Sequence, residues 1–112
     1  MTDKGGLHPR RLRRVVDFMH ENIQRPVTLE DLADCCGLSV SHFSRLFRIS
    51  MRTSPHQYML RLRVEHCKEL LRDPNLSILE VALAAGFQSQ QHFATVFRRL
   101  TGVSPSVYRF QS

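Results

Sequence analysis

A chain of 112 residues has room for one domain with a modest core, or for two small subdomains on a shared connector. Its 42% hydrophobic and 23% charged content is that of an ordinary globular protein; no apolar run approaches the ~18 residues of a membrane span, and the start lacks a secretory apolar stretch, so a cytoplasmic protein is expected. The 16 Lys+Arg against 10 Asp+Glu, net +6, favour a polyanionic partner, nucleic acid ahead of an anionic membrane surface, and Arg, the residue suited to phosphate and guanine, supplies nearly all of the positive charge.

Residues 1–8 hold Gly5 and Gly6 among polar neighbours and are expected to form a flexible lead. Pro9 can open a helix, and Leu12, Val15, Val16, Met19 and Ile23 then fall on one helical stripe, with Arg10, Arg11, Arg13 and Arg14 mostly off it on a solvated face. Thr28-x-x-Asp31 resembles a capping box and starts a second helix whose buried side is Leu29, Leu32, Ala33 and Cys36, stopped by Gly37. Ser39 caps a third helix with stripe Phe43, Leu46, Phe47 and Ser50. Ser54-Pro55-x-Gln57 opens the fourth and longest helix, over about residues 55–72, with apolar contacts at Tyr58, Leu62, Cys67, Leu70 and Leu71. Ser77-x-x-Glu80 is a capping box for a fifth helix ended by Gly86. Ser89 starts a sixth with stripe Phe93, Val96, Phe97 and Leu100, closed by Gly102, and Ser104-Pro105 begins a short seventh. Nothing reads as a strand, so the fold class is all-α with seven helices.

The residues from 28 to 58 occur twice. Thr28, Asp31, Ala33 and Gly37-Leu38 answer to Ser77, Glu80, Ala82 and Gly86-Phe87. After one extra residue in the second turn, Ser39, His42-Phe43, Phe47-Arg48, Ser54-Pro55 and Tyr58 answer to Ser89, His92-Phe93, Phe97-Arg98, Ser104-Pro105 and Tyr108. A short helix, a Gly-centred turn and a second helix make a helix-turn-helix, and the chain carries two of them, over about residues 28–52 and 77–101. Ala33 must be small where the second helix crosses it, and Gly37 takes a turn conformation that a β-carbon disfavours.

These residues resemble the AraC/XylS family of bacterial transcription regulators. The similarity lies in Leu32-Ala33-x-x-x-Gly37-Leu38-Ser39-x-Ser41-His42-Phe43-Ser44-Arg45-Leu46-Phe47 and in Ala82-x-x-x-Gly86-Phe87-x-Ser89-Gln90-Gln91-x-Phe93, with Phe97-Arg98 and Gly102-Val103-Ser104-Pro105-x-x-Tyr108-Arg109. It implies a seven-helix DNA-binding domain over residues 9–112, two homeodomain-like helix-turn-helix subdomains joined by a long linker helix. It also implies recognition helices near 40–50 and 90–100 in successive major grooves. Such grooves recur every ~34 Å along one face of DNA, and a linker helix of roughly 27 Å is of that order. The partners that follow are double-stranded DNA and RNA polymerase, with no membrane, no cofactor and no metal, for a monomeric isolated domain acting as an activator. A basic helical adaptor that binds protein is the alternative. No carboxylate pair or nucleophile–base set points to an enzyme.

With the stripe of the third helix turned inward, Ser41, Ser44, Arg45, Arg48 and Arg52 lie opposite, as Gln90, Gln91, Ala94, Thr95 and Arg98 do on the sixth. Arg suits guanine, Gln suits adenine, and the methyls of Ala and Thr suit the thymine methyl. The resemblance assigns base contacts to Ser41, Ser44, Arg45, Gln90, Gln91 and Thr95, while Arg48, Arg52 and Arg98 are expected on phosphate. His42 and His92 sit beside the core Phe, where a packing or helix-start role is favoured over base reading. One position departs from the family: Arg52 stands where Gly is usual, and either takes a left-handed conformation or marks a turn built differently. Cys35, Cys36 and Cys67, an odd number without C-x-x-C spacing, are expected as reduced thiols, with Cys36 and Cys67 packed in the core. The family usually precedes this domain with a sensing or dimerising one, and Gly5-Gly6-Leu7 reads like the end of a linker, which leans towards a domain cut from a longer chain.

Overall fold

Side-chain caps set the helix boundaries, and the caps come in pairs. Thr28 Oγ1 accepts from the Asp31 N–H at 3.0 Å while the Asp31 carboxylate accepts from the Thr28 N–H at 3.0 Å. Ser77 and Glu80 repeat this reciprocal arrangement at 3.0 and 2.8 Å. Ser39 and Ser89 accept from the N–H groups of His42 and His92, at 3.2 and 3.0 Å, and Ser54 and Ser104 from those of Gln57 and Val107, at 3.1 and 3.2 Å. Each hydroxyl cap satisfies a donor that the helix itself leaves open, worth ~1 kcal/mol. The backbone N–H of Thr28 also holds the Asp31 carboxyl below its ordinary range. Its contribution is therefore full above the unfolded carboxyl value and is lost as pH falls through the lowered one.

The computed structural model describes residues 5–111. Among them are the helices α1 (Pro9–Glu21), α2 (Leu29–Cys36), α3 (Val40–Met51), α4 (Pro55–Leu70), α5 (Ile78–Ala84), α6 (Gln90–Thr101) and α7 (Pro105–Gln111), and no strand. The all-α, seven-helix reading holds. No helix of the described residues is long and apolar enough to cross a membrane.

The chain divides into two units between Met59 and Leu60, inside α4. In the first, α1 packs on α2 and α2 on α3. Val15, Met19, Phe43 and Phe47 are fully buried there, together with Leu32, Ala33 and Cys36. Phe47 lies between Phe43, 5.6 Å away, and Tyr58, at 5.7 Å. In the second, α6 packs on α5 and α7. Its core joins Leu60, Val64, Cys67 and Leu71 to Val81, Ala82, Phe93, Val96 and Phe97. Phe97 again sits between a Phe and a Tyr: Phe93 at 5.5 Å and Tyr108 at 5.4 Å. Burial pushes the Cys67 thiol up to about 12, so it packs as an uncharged apolar group.

Several expectations need correction. Residues 1–4 of the flexible lead lie outside the described residues, but from Gly5 onward the segment is held. Leu7 is buried and its N–H donates to Ser50 Oγ at 2.8 Å. Gly6 is needed for that approach, since a β-carbon on it would stand 2.7 Å from Ser50 Oγ. Leu29 is exposed (39%) because the first residue of α2 precedes the turn that faces the core. Along α4 and the residue after it the buried stripe is Leu60, Val64, Cys67 and Leu71, not Leu62 and Leu70, which are half-buried. Over residues 58–64 all but Arg61 and Arg63 are apolar, so their pattern fixes no single face.

Candidate nucleic-acid interface

Each helix-turn-helix turns on a left-handed glycine: Gly37 at φ 66° and Gly86 at φ 88°. The Leu38 and Phe87 N–H groups then reach back to the carbonyls of Ala33 and Ala82, at 3.1 and 3.0 Å. This closes α2 and α5 and starts the chain towards α3 and α6. The second turn carries the extra residue, Gln88, which is exposed. Phe87 fills the core in front of α6, its ring 5.3 Å from Phe93 and edge-on to His92 at 5.5 Å. His92 thus has a packing role.

On α3, Phe43 and Phe47 are fully buried, which commits the other side of the helix to solvent. At ~100° per residue, Ser41, Ser44, Arg45 and Arg48 share a sector of about 100° on that side. Ser41, Arg45 and Arg48 are exposed and Ser44 is half-buried. The structure brings these four onto one face. Arg52 lies past the last turn, as the cap of α3 at φ 61° and ψ 23°, with its N–H bonded to Arg48 O at 2.8 Å and its side chain exposed. It takes the left-handed conformation itself, and it is the only non-glycine among the described residues at positive φ. Its counterpart Gly102 makes the same bond to Arg98 O, also at 2.8 Å.

On α6, Phe93, Val96 and Phe97 are buried, and Gln91, Thr95 and Arg98 are exposed on the far side, with Ala94 half-buried beside them. Gln90 is exposed but stands apart from this face. As the first residue of α6 it is turned ~100° from Gln91 and belongs to the helix entry. The sequence reading missed Arg99, exposed and one turn beyond Thr95 on the same flank. Its spacing from Thr95 was the available signal, but its counterpart in the first copy is Ile49, so the repeat did not mark it.

Two ion pairs of the described residues, Lys68 with Glu65 and Arg72 with Glu69, lie on α4 and just after it. The arginines of α3 and α6 enter neither. Both helices therefore offer exposed guanidinium groups beside short polar side chains, on a chain of net charge +6. Forks of that kind can donate two hydrogen bonds to one phosphate or to one guanine edge.

Residues 32–111 match a protein family described as a helix-turn-helix domain. The probable transcriptional regulator LumQ of Photobacterium leiognathi is 35% identical over 94 residues, which is 84% of this chain and 38% of that protein. The chain thus spans well under half the length of the curated relatives it matches. Among solved structures, a transcriptional regulator from Chromobacterium violaceum, of the AraC-type DNA-binding domain proteins, has a TM-score of 0.84 and 33% identity, with 91% of each chain covered. The DNA-binding domain of the global transcriptional factor AdpA, solved in complex with a target DNA, has a TM-score of 0.85 at 33% identity, over 90% of this chain and 91% of that one.

Proposed function

The chain belongs to the AraC-type helix-turn-helix family of DNA-binding transcription regulators, and from that premise we propose that α3 and α6 are two base-reading helices of different specificity. Residues 9–112 form the binding domain, and the two helices enter successive major grooves of double-stranded DNA. Arg45 takes guanine through O6 and N7, with Ser41 and Ser44 short enough to let α3 approach. Gln91 takes adenine through N6 and N7, and the Thr95 methyl meets a thymine methyl. Gln90 contacts a base at the helix entry. Arg48, Arg52, Arg98 and Arg99 hold phosphate and set register.

One observation carries this reading. The same buried rings orient both helices, while the exposed residues differ: Ser41 and Arg45 in the first copy, Gln91 and Thr95 in the second. A repeated core with changed outer faces suits a reader of an asymmetric site. The protein acts in the cytoplasm as a monomeric domain on DNA, as an activator, with RNA polymerase as its partner there.

Selection of bound duplexes from a random pool supplies the cognate site. Arg45→Ala and Gln91→Ala are each expected to weaken binding to that duplex by roughly 5- to 150-fold, and to leave binding to random DNA nearly unchanged. Equal losses on both duplexes would remove the base-reading assignment. Affinity that does not fall with salt would favour the protein-binding adaptor instead.

A further inference from the structure

The duplication reaches further back than the two helix-turn-helix units. Arg14-Val15 on α1 precede Arg63-Val64 on α4 by the same offset that separates Ala33 from Ala82. Both valines are buried, at 0% and 2% exposure. Both arginines reach the C-terminal end of the helix that follows. Arg14 Nη1 donates to the Cys35 carbonyl, in the last turn of α2, at 3.4 Å. Arg63 Nη1 donates to the carbonyl of Ala85, the cap residue of α5, at 3.2 Å. The last carbonyls of a helix have no partner within it, and a cation there meets the negative end of the helix dipole.

The two contacts are not equivalent. Arg14 is exposed, whereas Arg63 is 7% exposed, the one charged residue among the buried ones described. Burial lowers the pKa of its guanidinium, a sign that the charge is held against its preference for water. An apolar chain of similar length would fill the same space without that penalty. The turn beyond Ala85 supplies a reason for the charge. Counted from the aligned glycines Gly37 and Gly86, copy two must cross one more residue, Gln88, before the cap of α6. Ala85 is fully buried and Gly86, at φ 88°, follows it, so the Arg63 bond fixes where the chain leaves α5. Phe87, packed on Phe93, fixes where it enters α6. With both points held, the direction of α6 and the placement of Gln91 and Thr95 are set.

We propose that Arg63 is a positioning residue for base reading by α6: through the Ala85 carbonyl it anchors the long turn and aims the recognition helix, without touching DNA. The proposal rests on α3 and α6 being the base-reading helices. Its effect is therefore local to one half of the DNA site. Arg14, on the shorter turn and in solvent, has no such role for α3.

The test uses the whole chain, its selected duplex, and two derivatives with one or the other half-site scrambled. The loss of discrimination in Gln91→Ala identifies the half read by α6. For each half, the ratio of affinities for intact and scrambled duplex measures discrimination. Arg63→Lys keeps a cation but not the planar fork, and is expected to lower the ratio at the α6 half about threefold. Arg63→Met, which removes the donor, is expected to lower it about tenfold or more, with the ratio at the α3 half and the salt slope unchanged. An α6 ratio unchanged in both variants overturns the proposal, as does an equal fall at both halves, which a merely structural residue would give. Should Arg63→Met fail to fold, Arg63→Lys decides alone by the same two criteria. A wild-type chain that discriminates neither scrambled duplex removes the base-reading premise itself, and this assignment with it, before any Arg63 variant is measured.

Discussion

The first copy of the repeat and the second are built alike inside and differently outside. Phe43 and Phe47 match Phe93 and Phe97 at zero exposure, and the ring spacings agree: 5.6 against 5.5 Å between the phenylalanines, and 5.7 against 5.4 Å to the tyrosine behind them. Apart from Arg63, buried where Arg14 is exposed, and changes of size among the other buried residues, the differences lie at the surface or at a chain reversal. Glu30 and Asp34, on the outer side of α2, become Leu79 and Leu83 on α5, exposed at 46% and 51%. Arg52 becomes Gly102, and the second turn gains Gln88. The core residues decide that a helix-turn-helix forms; the surface residues decide what it meets.

If the two cores are equivalent scaffolds, breaking them should cost the same. Phe47→Ala and Phe97→Ala each empty a fully buried ring from between two aromatic neighbours, and each is expected to destabilise its own unit by about 3–5 kcal/mol. Urea unfolding of the two variants checks this. The equivalence breaks if one variant loses less than about 1.5 kcal/mol, a sign that its site collapses around the cavity as the other cannot.

The ends of the two recognition helices sharpen the comparison at a smaller scale. Gly102 and Arg52 share a left-handed backbone and the same cap bond, and a β-carbon on Gly102 would meet nothing within 4 Å. Gly102→Ala thus isolates the backbone term and is expected to lose about 1 kcal/mol, while Arg52→Gly relieves the same strain and gains up to about that much. Thermal unfolding measures both. The Arg52→Gly variant also reports on DNA: if Arg52 holds a phosphate, the slope of log affinity against log salt becomes shallower by about 0.9. A variant that is less stable than the parent would show that the Arg52 side chain contributes more to the fold than its backbone strain removes.

Much of this was legible in the sequence because the signals were short-range. Caps such as Thr28 with Asp31 or Ser77 with Glu80 act over three residues, and a glycine such as Gly37 needs only its own turn to explain it. Four-residue spacing likewise put Arg45 and Gln91 on the outer faces. What escaped depends on contacts across the chain. Leu7 looked like part of a lead until Ser50, 43 residues on, was seen to accept its N–H. Arg63 carries no local signal, because nothing near it in sequence names Ala85, 22 residues away, as its acceptor. Gln90 was read with Gln91 since both face water, but only the helix start shows that one is at the entry and the other on the face. Periodicity sees a helix face; it does not see what lies across from it.

The smallest expected effect concerns the outer side of α5. Leu79 occupies the second position of that helix, where Glu30 stands in α2, and carboxylates in a first turn interact favourably with the helix dipole. Leu79→Glu restores the pattern of the first copy and removes exposed apolar surface. It is expected to change stability by no more than a gain of about 0.5 kcal/mol, to raise solubility, and to leave affinity for the selected duplex within about twofold. The urea midpoint, the concentration at which the protein precipitates and a duplex titration measure the three. A stability loss above about 1 kcal/mol would mean that Leu79 packs against something in the folded chain. The two copies would then differ in their inner contacts as well as in the bases they read, and the division between a shared interior and a variable exterior would fail at α5.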